Sequence, residues 1–308
     1  MQYKRGISGF AAMAALALAG TACSSSGTTG AAGSPGSGPA AAGARADALT
    51  VLAKMPAPQV VAKTTQAVSA KQTVKVHMAV KLPSMNETAD GAISYGGAVK
   101  ADLSVSMASD NPQVGSQLAA MGQMEMRMDS AVAYLNVGKN AELKSALGGK
   151  AWMKVDFAEI ATIPELKSFS FMKDLAKNND PGAQLHALLA SPDLKMVGTE
   201  EHNGVQALHY VGDVSADDVV KATTAASGLT QADLDALNTT MKQGGVTKAT
   251  YDLWIDADGL PVTVKFSEDT NAGTVSGDIS YSAWGTPVTA TAPPADQTAD
   301  VVNLMHGQ

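Results

Sequence analysis

The chain has 308 residues, of which 45% are hydrophobic, so it carries enough apolar side chains to build a globular core. Its formal net charge is −7 and the sequence has no basic block, which argues against nucleic-acid binding because concentrated Lys and Arg are needed to neutralise phosphates. A single cysteine excludes a disulfide framework and any zinc or iron–sulfur site built from several cysteines.

The start of the chain has the pattern of a secretory signal peptide that ends at a cysteine. Lys4 and Arg5 supply a positive charge, residues 10–19 are apolar but too short to span a bilayer, and small residues precede Cys23. This arrangement resembles the lipobox of bacterial lipoproteins, in which the chain is cut before the cysteine and the thiol carries a diacylglycerol. It departs from the usual lipobox at Gly20, which stands where leucine is common.

We therefore predict that residues 1–22 are removed and that acylated Cys23 holds the protein on the outer face of the cytoplasmic membrane. Several acyl chains on one residue anchor a protein stably, whereas a single chain binds marginally. After residue 22 no run of 18 or more apolar residues occurs, so the mature chain is not expected to span the membrane. Residues 23–48 are predicted to be the lipidated cysteine and a flexible tether, because Ser, Gly, Ala and Pro dominate there.

The folded domain is predicted at residues 49–292, and residues 293–308 form a polar tail with one apolar stretch that can dock. Apolar residues at helical spacing predict a helix over residues 57–70. The period then changes to two, which predicts a half-buried strand over residues 73–82. Further strands are predicted at residues 99–107, 124–128, 131–137, 151–157, 194–200, 205–211, 251–256, 260–266 and 274–284.

Short turns join most of these strands, which predicts antiparallel pairing. Asn203 and Gly204 favour a tight hairpin between two of the strands. Helical patterns occur at residues 184–190, and capping sequences predict two helices within residues 215–244. A sheet of this many strands curls, so the fold class is α+β with a large curved antiparallel sheet.

Four motifs in this order resemble the LolA-like superfamily, especially the LppX/LprA/LprF/LprG lipoproteins of high-GC Gram-positive bacteria. They are Cys23 with its tether, the WMKVD motif at residues 152–156, Gly204 followed by residues 208–210, and residues 253–256 ahead of residues 258–261. The resemblance covers residues 50–292. It implies a half-barrel whose concave face is partly covered by helices, leaving an apolar cavity in which an acylated lipid or glycolipid is bound or transferred.

Strand alternation places one apolar set on a single face, while Lys75, Asp102 and Asp252 point the other way. Under the resemblance, this set is the candidate cavity lining: Val76, Met78, Val80, Leu103, Val105, Met107, Met126, Leu253 and Ile255. The alternative is a filled core, in which case the protein is a non-catalytic envelope scaffold or partner-binding lipoprotein. Periodicity alone does not separate the two hypotheses.

Four methionines between Met121 and Met128 raise a third hypothesis, since thioethers are soft ligands that select Cu(I). Glu125 and Arg127 alternate with them as a half-buried strand requires, and neither His nor Cys stands nearby, so packing is the favoured interpretation. Methionine also suits a surface that accepts variable apolar shapes.

Enzymatic motifs are scarce. No G-x-S-x-G, H-E-x-x-H, P-loop or dinucleotide-binding pattern occurs, and a lone S-x-x-K at Ser170 lacks its companion motifs. The histidines show no metal-ligand spacing, and His209 is interpreted as a packed or surface residue. Asp256 to Gly259 is interpreted as a hairpin turn, not the start of a calcium loop. We therefore predict a non-enzyme without cofactor or metal, whose partners are the membrane, a lipid or glycolipid, and an envelope protein.

Overall fold

The structure is a computed structural model that describes residues 39–95, 99–160, 193–215, 239, 243–245 and 248–305. The predicted signal peptide, Cys23 and the helical pattern at residues 184–190 lie outside the described residues, as do most of the helices predicted within residues 215–244.

Twelve strands in the described residues form one open sheet. In chain order they are β1 (Thr73–Leu82), β2 (Met85–Ser94), β3 (Lys100–Ala108), β4 (Met124–Asp129), β5 (Val132–Asn136), β6 (Trp152–Asp156), β7 (Lys195–His202), β8 (Val205–Ser215), β9 (Lys248–Asp256), β10 (Pro261–Thr270), β11 (Gly273–Ser282) and β12 (Thr298–Asp300). Across the sheet the order is β12-β6-β5-β4-β3-β2-β1-β11-β10-β9-β8-β7. All neighbours pair antiparallel except β12 with β6, which pair parallel, so the predicted α+β fold class with a large antiparallel sheet is confirmed.

Six α-helices accompany the strands in the described residues. They are α1 (Pro39–Ala53), α2 (Ala57–Lys71), α3 (Pro112–Met121), α4 (Ala141–Ala146), α5 (Phe157–Ile160) and α6 (Val301–Met305). None of them has the length and apolarity needed to cross a membrane.

The tight turns follow from residues that tolerate positive φ. The β7–β8 hairpin turns at Asn203 (φ 53°) and Gly204 (φ 76°), as the dipeptide predicts. Asp256 closes the β9–β10 turn, where its carboxylate accepts hydrogen bonds from the backbone N–H groups of Asp258 (2.9 Å) and Leu260 (2.8 Å). The carboxylate is thus a turn-forming group, which agrees with the hairpin interpretation of this segment.

Helices α1 and α2 pack against one face of the sheet, which we call the inner face. Leu49 and Leu52 of α1 and Val60 and Val68 of α2 are buried in one cluster with the apolar side chains of β1, β2, β3, β8, β9, β10 and β11. The hydroxyl of Tyr95 donates to the Val68 carbonyl at 2.8 Å and ties the end of α2 to the sheet.

The structure differs from the predicted tether boundary at residue 48. Helix α1 begins at Pro39, so residues 39–48 are helical, and Leu49 and Leu52 anchor the helix in the core. The segment is rich in alanine, which has the highest intrinsic helix propensity, and tertiary packing stabilises a helix that composition alone does not predict.

The predicted polar tail is also different, because its middle part joins the sheet. Residues 298–300 form β12, in which Ala299 is buried and Asp300 pairs with Lys154 at 2.8 Å. Val301 and Val302 of α6 then pack against the cluster that contains Ala133 and Leu135 of β5. The short apolar stretch therefore docks, and residues 298–305 belong to the folded domain.

Candidate functional site

The residues predicted to line a cavity share the inner face. Met78 of β1 lies opposite Ile279 of β11 and Ala89 of β2, and Ala89 lies opposite Val105 of β3. Farther across the sheet, Val264 of β10 lies opposite Ile279, and Leu253 of β9 lies opposite both Val264 and Tyr210 of β8. These residues form one row of cross-strand neighbours. Residues opposite one another in antiparallel strands share a face, so Lys75, Asp102 and Asp252 point to the other side, which we call the outer face.

The nine predicted lining residues differ in burial. Seven are buried in the main cluster: Val76, Met78, Val80, Leu103, Val105, Leu253 and Ile255. Met107 and Met126 are partly exposed. The structure therefore brings the nine residues to one face but leaves only these two open to solvent.

One part of the inner face, the covered end, lies where β1 begins and β9 ends. Here α1 contacts β8, the guanidinium of Arg45 lies 3.9 Å from the Asp258 carboxylate in the β9–β10 turn, and α2 runs directly into β1. Side chains of the helices and strands fill the covered end. Its fully buried members are Leu52, Val60, Val68, Val74, Leu208 and Ile255.

The opposite part of the inner face, the open end, lies where β1 ends and β11 begins. Its apolar side chains are partly exposed, and two carboxyl groups lie among them. The open end consists of Leu82, Met85, Glu87, Met107, Phe266, Glu268 and Val275. Helix α3 follows β3 at this end, but none of its residues is buried.

Glu87 is the most unusual residue of the open end. It is only 3% exposed, and its Oε1 has no hydrogen-bond partner in the described residues. Its cross-strand neighbours on the inner face are Val80 of β1 and Met107 of β3. Burial in these apolar surroundings raises the pKa of Glu87 to about 7, so both protonation states are accessible near neutral pH.

A second row of cross-strand neighbours on the inner face begins at Glu87 and Val80 and ends in aromatic side chains. The ring of Phe266 lies over Gly277, where a side-chain carbon would collide with it. Tyr251 lies next in the row with its ring centroid 6.1 Å from that of Phe266. Burial, and secondarily the nearby Glu268, raise the pKa of Tyr251 to about 12, so its hydroxyl stays protonated. A groove of about 430 Å³ runs over β2, β1, β11 and β10. It is lined by residues 79–81, 86–88, 265–266 and 276–278.

The methionine strand β4 faces inward. Met124, Met126 and Met128 lie opposite Val105, Leu103 and Ala101 of β3, and the latter two methionines pack against the main cluster. Glu125 and Arg127 form an ion pair on the outer face. Strand packing accounts for these contacts as the alternation predicts.

An outer-face cluster that we did not predict centres on Trp254. Its ring is stacked between His202 and His209, with centroids 4.1 Å and 4.3 Å away. Its indole N–H donates to Glu200, and the carboxylates of Glu200 and Asp252 lie 3.1 Å and 2.7 Å from the two ring nitrogens of His209. Each ring nitrogen of His209 therefore faces a carboxylate.

This cluster explains two of the motifs behind the family resemblance. Residues 208–210 of β8 pair directly with residues 253–255 of β9, so Leu208 and Ile255 fill the core while His209 and Trp254 stack outside. His209 is therefore a packed residue, as interpreted from the sequence. No group of three or more His, Cys, Asp or Glu in the described part of the chain is arranged to hold a metal ion.

Two Streptomyces proteins are similar to this chain in sequence. No family model matches the chain. An uncharacterized 31.2 kDa protein from the rplA-rplJ intergenic region of Streptomyces griseus is 32% identical over 236 residues, which is 76% of this chain and 75% of that protein. A Streptomyces coelicolor protein that carries a lipoprotein name is 25% identical over 185 residues, or 60% of this chain, which spans 54% of that relative's length.

Two solved structures are similar in fold. LprF from Mycobacterium bovis has 18% sequence identity and a TM-score of 0.45, covering 77% of this chain and 96% of its own. The Mycobacterium tuberculosis lipoprotein LppX has 15% identity and a TM-score of 0.40, covering 76% of this chain and 99% of its own.

Proposed function

This chain belongs to the family of the 31.2 kDa Streptomyces griseus protein, and we propose that it is a non-catalytic, membrane-anchored extracytoplasmic lipoprotein that binds an acylated lipid or glycolipid at the open end. The single observation that carries the proposal is the difference between the two ends of the inner face. At the covered end α1 and α2 fill the sheet, whereas at the open end Leu82, Met107, Phe266 and Val275 remain partly exposed.

The chemistry of the open end supports an acyl chain as the occupant. Each CH₂ group that leaves water contributes about 0.8 kcal/mol, so a chain lying across several strands gains enough to bind. Met85 and Met107 are unbranched and polarizable, and such side chains adapt to acyl chains of different shape.

The proposal is tested by native mass spectrometry on the full chain carrying Cys23→Ala, exported by and purified from a bacterial host without detergent. The lipid carrier is expected to retain bound acyl lipid. Met107→Trp fills the open end and is expected to remove the bound lipid, while Ser106→Trp is the matched control, because Ser106 is the next residue on β3 and faces outward. If the Cys23→Ala protein without a further substitution never carries bound lipid, the proposal is contradicted.

The second candidate function is a cell-envelope scaffold or partner-binding lipoprotein with a filled core. It is favoured by the burial of seven of the nine predicted lining residues within the main cluster. Under this hypothesis the protein carries no lipid and Met107→Trp changes nothing in the mass spectrum.

Membrane anchoring through Cys23 is a separate part of the proposal. We expect Cys23→Ala to abolish incorporation of radiolabelled palmitate and to release the protein from the membrane fraction, since the acylated thiol is the anchor. Cys23 is the only cysteine in the chain, so labelling that survives in the variant would contradict lipidation at this residue.

A further inference from the structure

Glu87 interrupts the apolar pattern of the inner face. Strand alternation puts its side chain on the same side as Met85 and Ala89 of its own strand, and its cross-strand neighbours there are Val80 and Met107. All four of these neighbours are uncharged. The nearest carboxyl of the open end, Glu268, lies on β10, and β1 and β11 separate that strand from β2.

Two other acidic side chains that lie wholly or partly buried have partners in the described residues. The carboxyl of Asp90, the next acidic residue of β2, lies 2.9 Å from Nδ1 of His77. The carboxylate of Asp256 accepts hydrogen bonds from backbone N–H groups in its turn. A buried carboxyl oxygen with no partner destabilises the folded state, because burial removes its hydrogen bonds to water without replacing them. Within the described residues, burial of the Glu87 Oε1 atom therefore carries a folding penalty that no hydrogen bond offsets.

We infer that Glu87 holds the uncharged polar group of the bound lipid, a hydroxyl or ester oxygen, and discriminates against lipids whose anionic phosphate would lie there. The inference rests on the proposed lipid-binding function and adds the chemical class of the ligand. A protonated carboxyl donates one hydrogen bond and accepts others, which matches a hydroxyl or an ester. An ionised carboxyl only accepts, and it repels a phosphate across a low-dielectric site.

The placement of the remaining groups fits a neutral lipid. From Glu87 the row runs through Val80, Gly277 and Phe266 to Tyr251, over four strand spacings or about 19 Å. The middle of the row is apolar and suits acyl chains. Each end of the row carries a hydrogen-bonding group, and no member of the row is a cation that would neutralise a phosphate. The two lysines that border the groove, Lys81 and Lys265, alternate to the outer face.

The experiment compares two probes with the same acyl chains, dioleoylglycerol and dioleoyl phosphatidylglycerol, offered in phosphatidylcholine vesicles to the full chain carrying Cys23→Ala. Lipid extracted from the vesicles is counted by native mass spectrometry at pH 6 and pH 8. We expect the protein to take up dioleoylglycerol at least tenfold better than phosphatidylglycerol at pH 8. Glu87→Leu is expected to lose most of this preference, while Glu87→Gln retains dioleoylglycerol uptake because its amide still donates and accepts.

Thr88→Leu is the matched control, because Thr88 is adjacent on β2 and faces outward. An equal preference for dioleoylglycerol over phosphatidylglycerol in wild type and Glu87→Leu overturns the role of Glu87 while lipid binding stands. Uptake of neither probe by wild type overturns the proposed function and the role of Glu87 with it. The melting temperature of Glu87→Leu is expected not to fall, since an unpartnered carboxyl is removed, and a marked fall shows a structural role instead.

Discussion

The covered end and the open end of the inner face share strand β1 but differ in what completes them. At the covered end the apolar residues of β1, β8 and β9 meet Leu52, Val60 and Val68 of the helices and are sealed from solvent. At the open end, which β1, β2, β3, β10 and β11 form, the apolar residues are partly exposed and Glu87 and Glu268 lie among them. Apolar side chains are therefore buried more completely at the covered end than at the open end.

The largest expected effect comes from truncating matched leucines at the two ends. Leu52→Ala removes a side chain that is 0% exposed, and we expect it to lower the free energy of unfolding by about 2–5 kcal/mol through the cavity it leaves. Leu82→Ala at the open end is expected to cost about 1 kcal/mol, because Leu82 is only partly buried. Urea unfolding of the two variants measures the difference. Equal losses of unfolding free energy would contradict the distinction between the two ends.

The next effect is a pH dependence that originates at the open end. The pKa of Glu87 is raised from 4.5 to about 7 by burial, so the folded state holds this proton more tightly than the unfolded state. The associated stability is present below pH 4.5 and is lost as the pH rises through about 7, up to about 3 kcal/mol in total. Glu87→Gln is expected to flatten this part of the stability profile measured by urea unfolding. A profile identical to that of wild type would show that Glu87 ionises freely.

Tryptophan substitutions along one strand sharpen the comparison at a smaller scale. Val105 and Met107 are successive inward residues of β3, but Val105 is buried opposite Ala89 and Met107 is partly exposed. Val105→Trp is expected to cost about 1–3 kcal/mol through overpacking, whereas Met107→Trp costs less than about 1 kcal/mol and blocks lipid. Melting temperatures test this, and an unchanged value for Val105→Trp would extend the open space to that position.

The smallest effect is expected from the methionine strand, where a triple substitution should roughly preserve stability. Replacing Met124, Met126 and Met128 by Leu conserves volume, and such swaps usually cost less than about 1.5 kcal/mol each. Copper tolerance of the host is expected to stay unchanged. A loss of micromolar Cu(I) binding in the triple variant would instead support the copper hypothesis.

Alternation in the sequence predicts most of the sheet because side chains on successive residues of a strand face opposite sides. It does not predict β2, in which Asn86, Glu87, Thr88 and Asp90 dilute the apolar signal, although Glu87 and Asp90 are both buried. Helix α1 is hidden by its Ala- and Gly-containing composition, and β12 by its length of three residues. Both elements form because of contacts with residues far away in the chain.

The candidate site is predictable to the same degree. Periodicity assigns the nine lining residues to one face, but it contains no information about where α1 and α2 lie on that face. The division between covered and open ends therefore requires the structure. Glu87 carried a usable signal, since it is a glutamate between the apolar strands β1 and β3, but that signal appears only once β2 is recognised as a strand. The stack of His202, Trp254 and His209 depends on the register of three strands.

The docking of β12 on β6 has a consequence for self-association. An unpaired strand edge is a template for pairing with another chain, and proteins protect such edges by covering or charging them. Residues 298–300 cover the β6 edge, whereas β7 at the other edge carries exposed Lys195, Glu200 and Glu201 and a bulge next to Met196. Deleting residues 298–308 would leave Trp152, Met153 and Lys154 with unpaired backbone groups. We therefore expect the shortened chain to form oligomers through pairing of this strand edge.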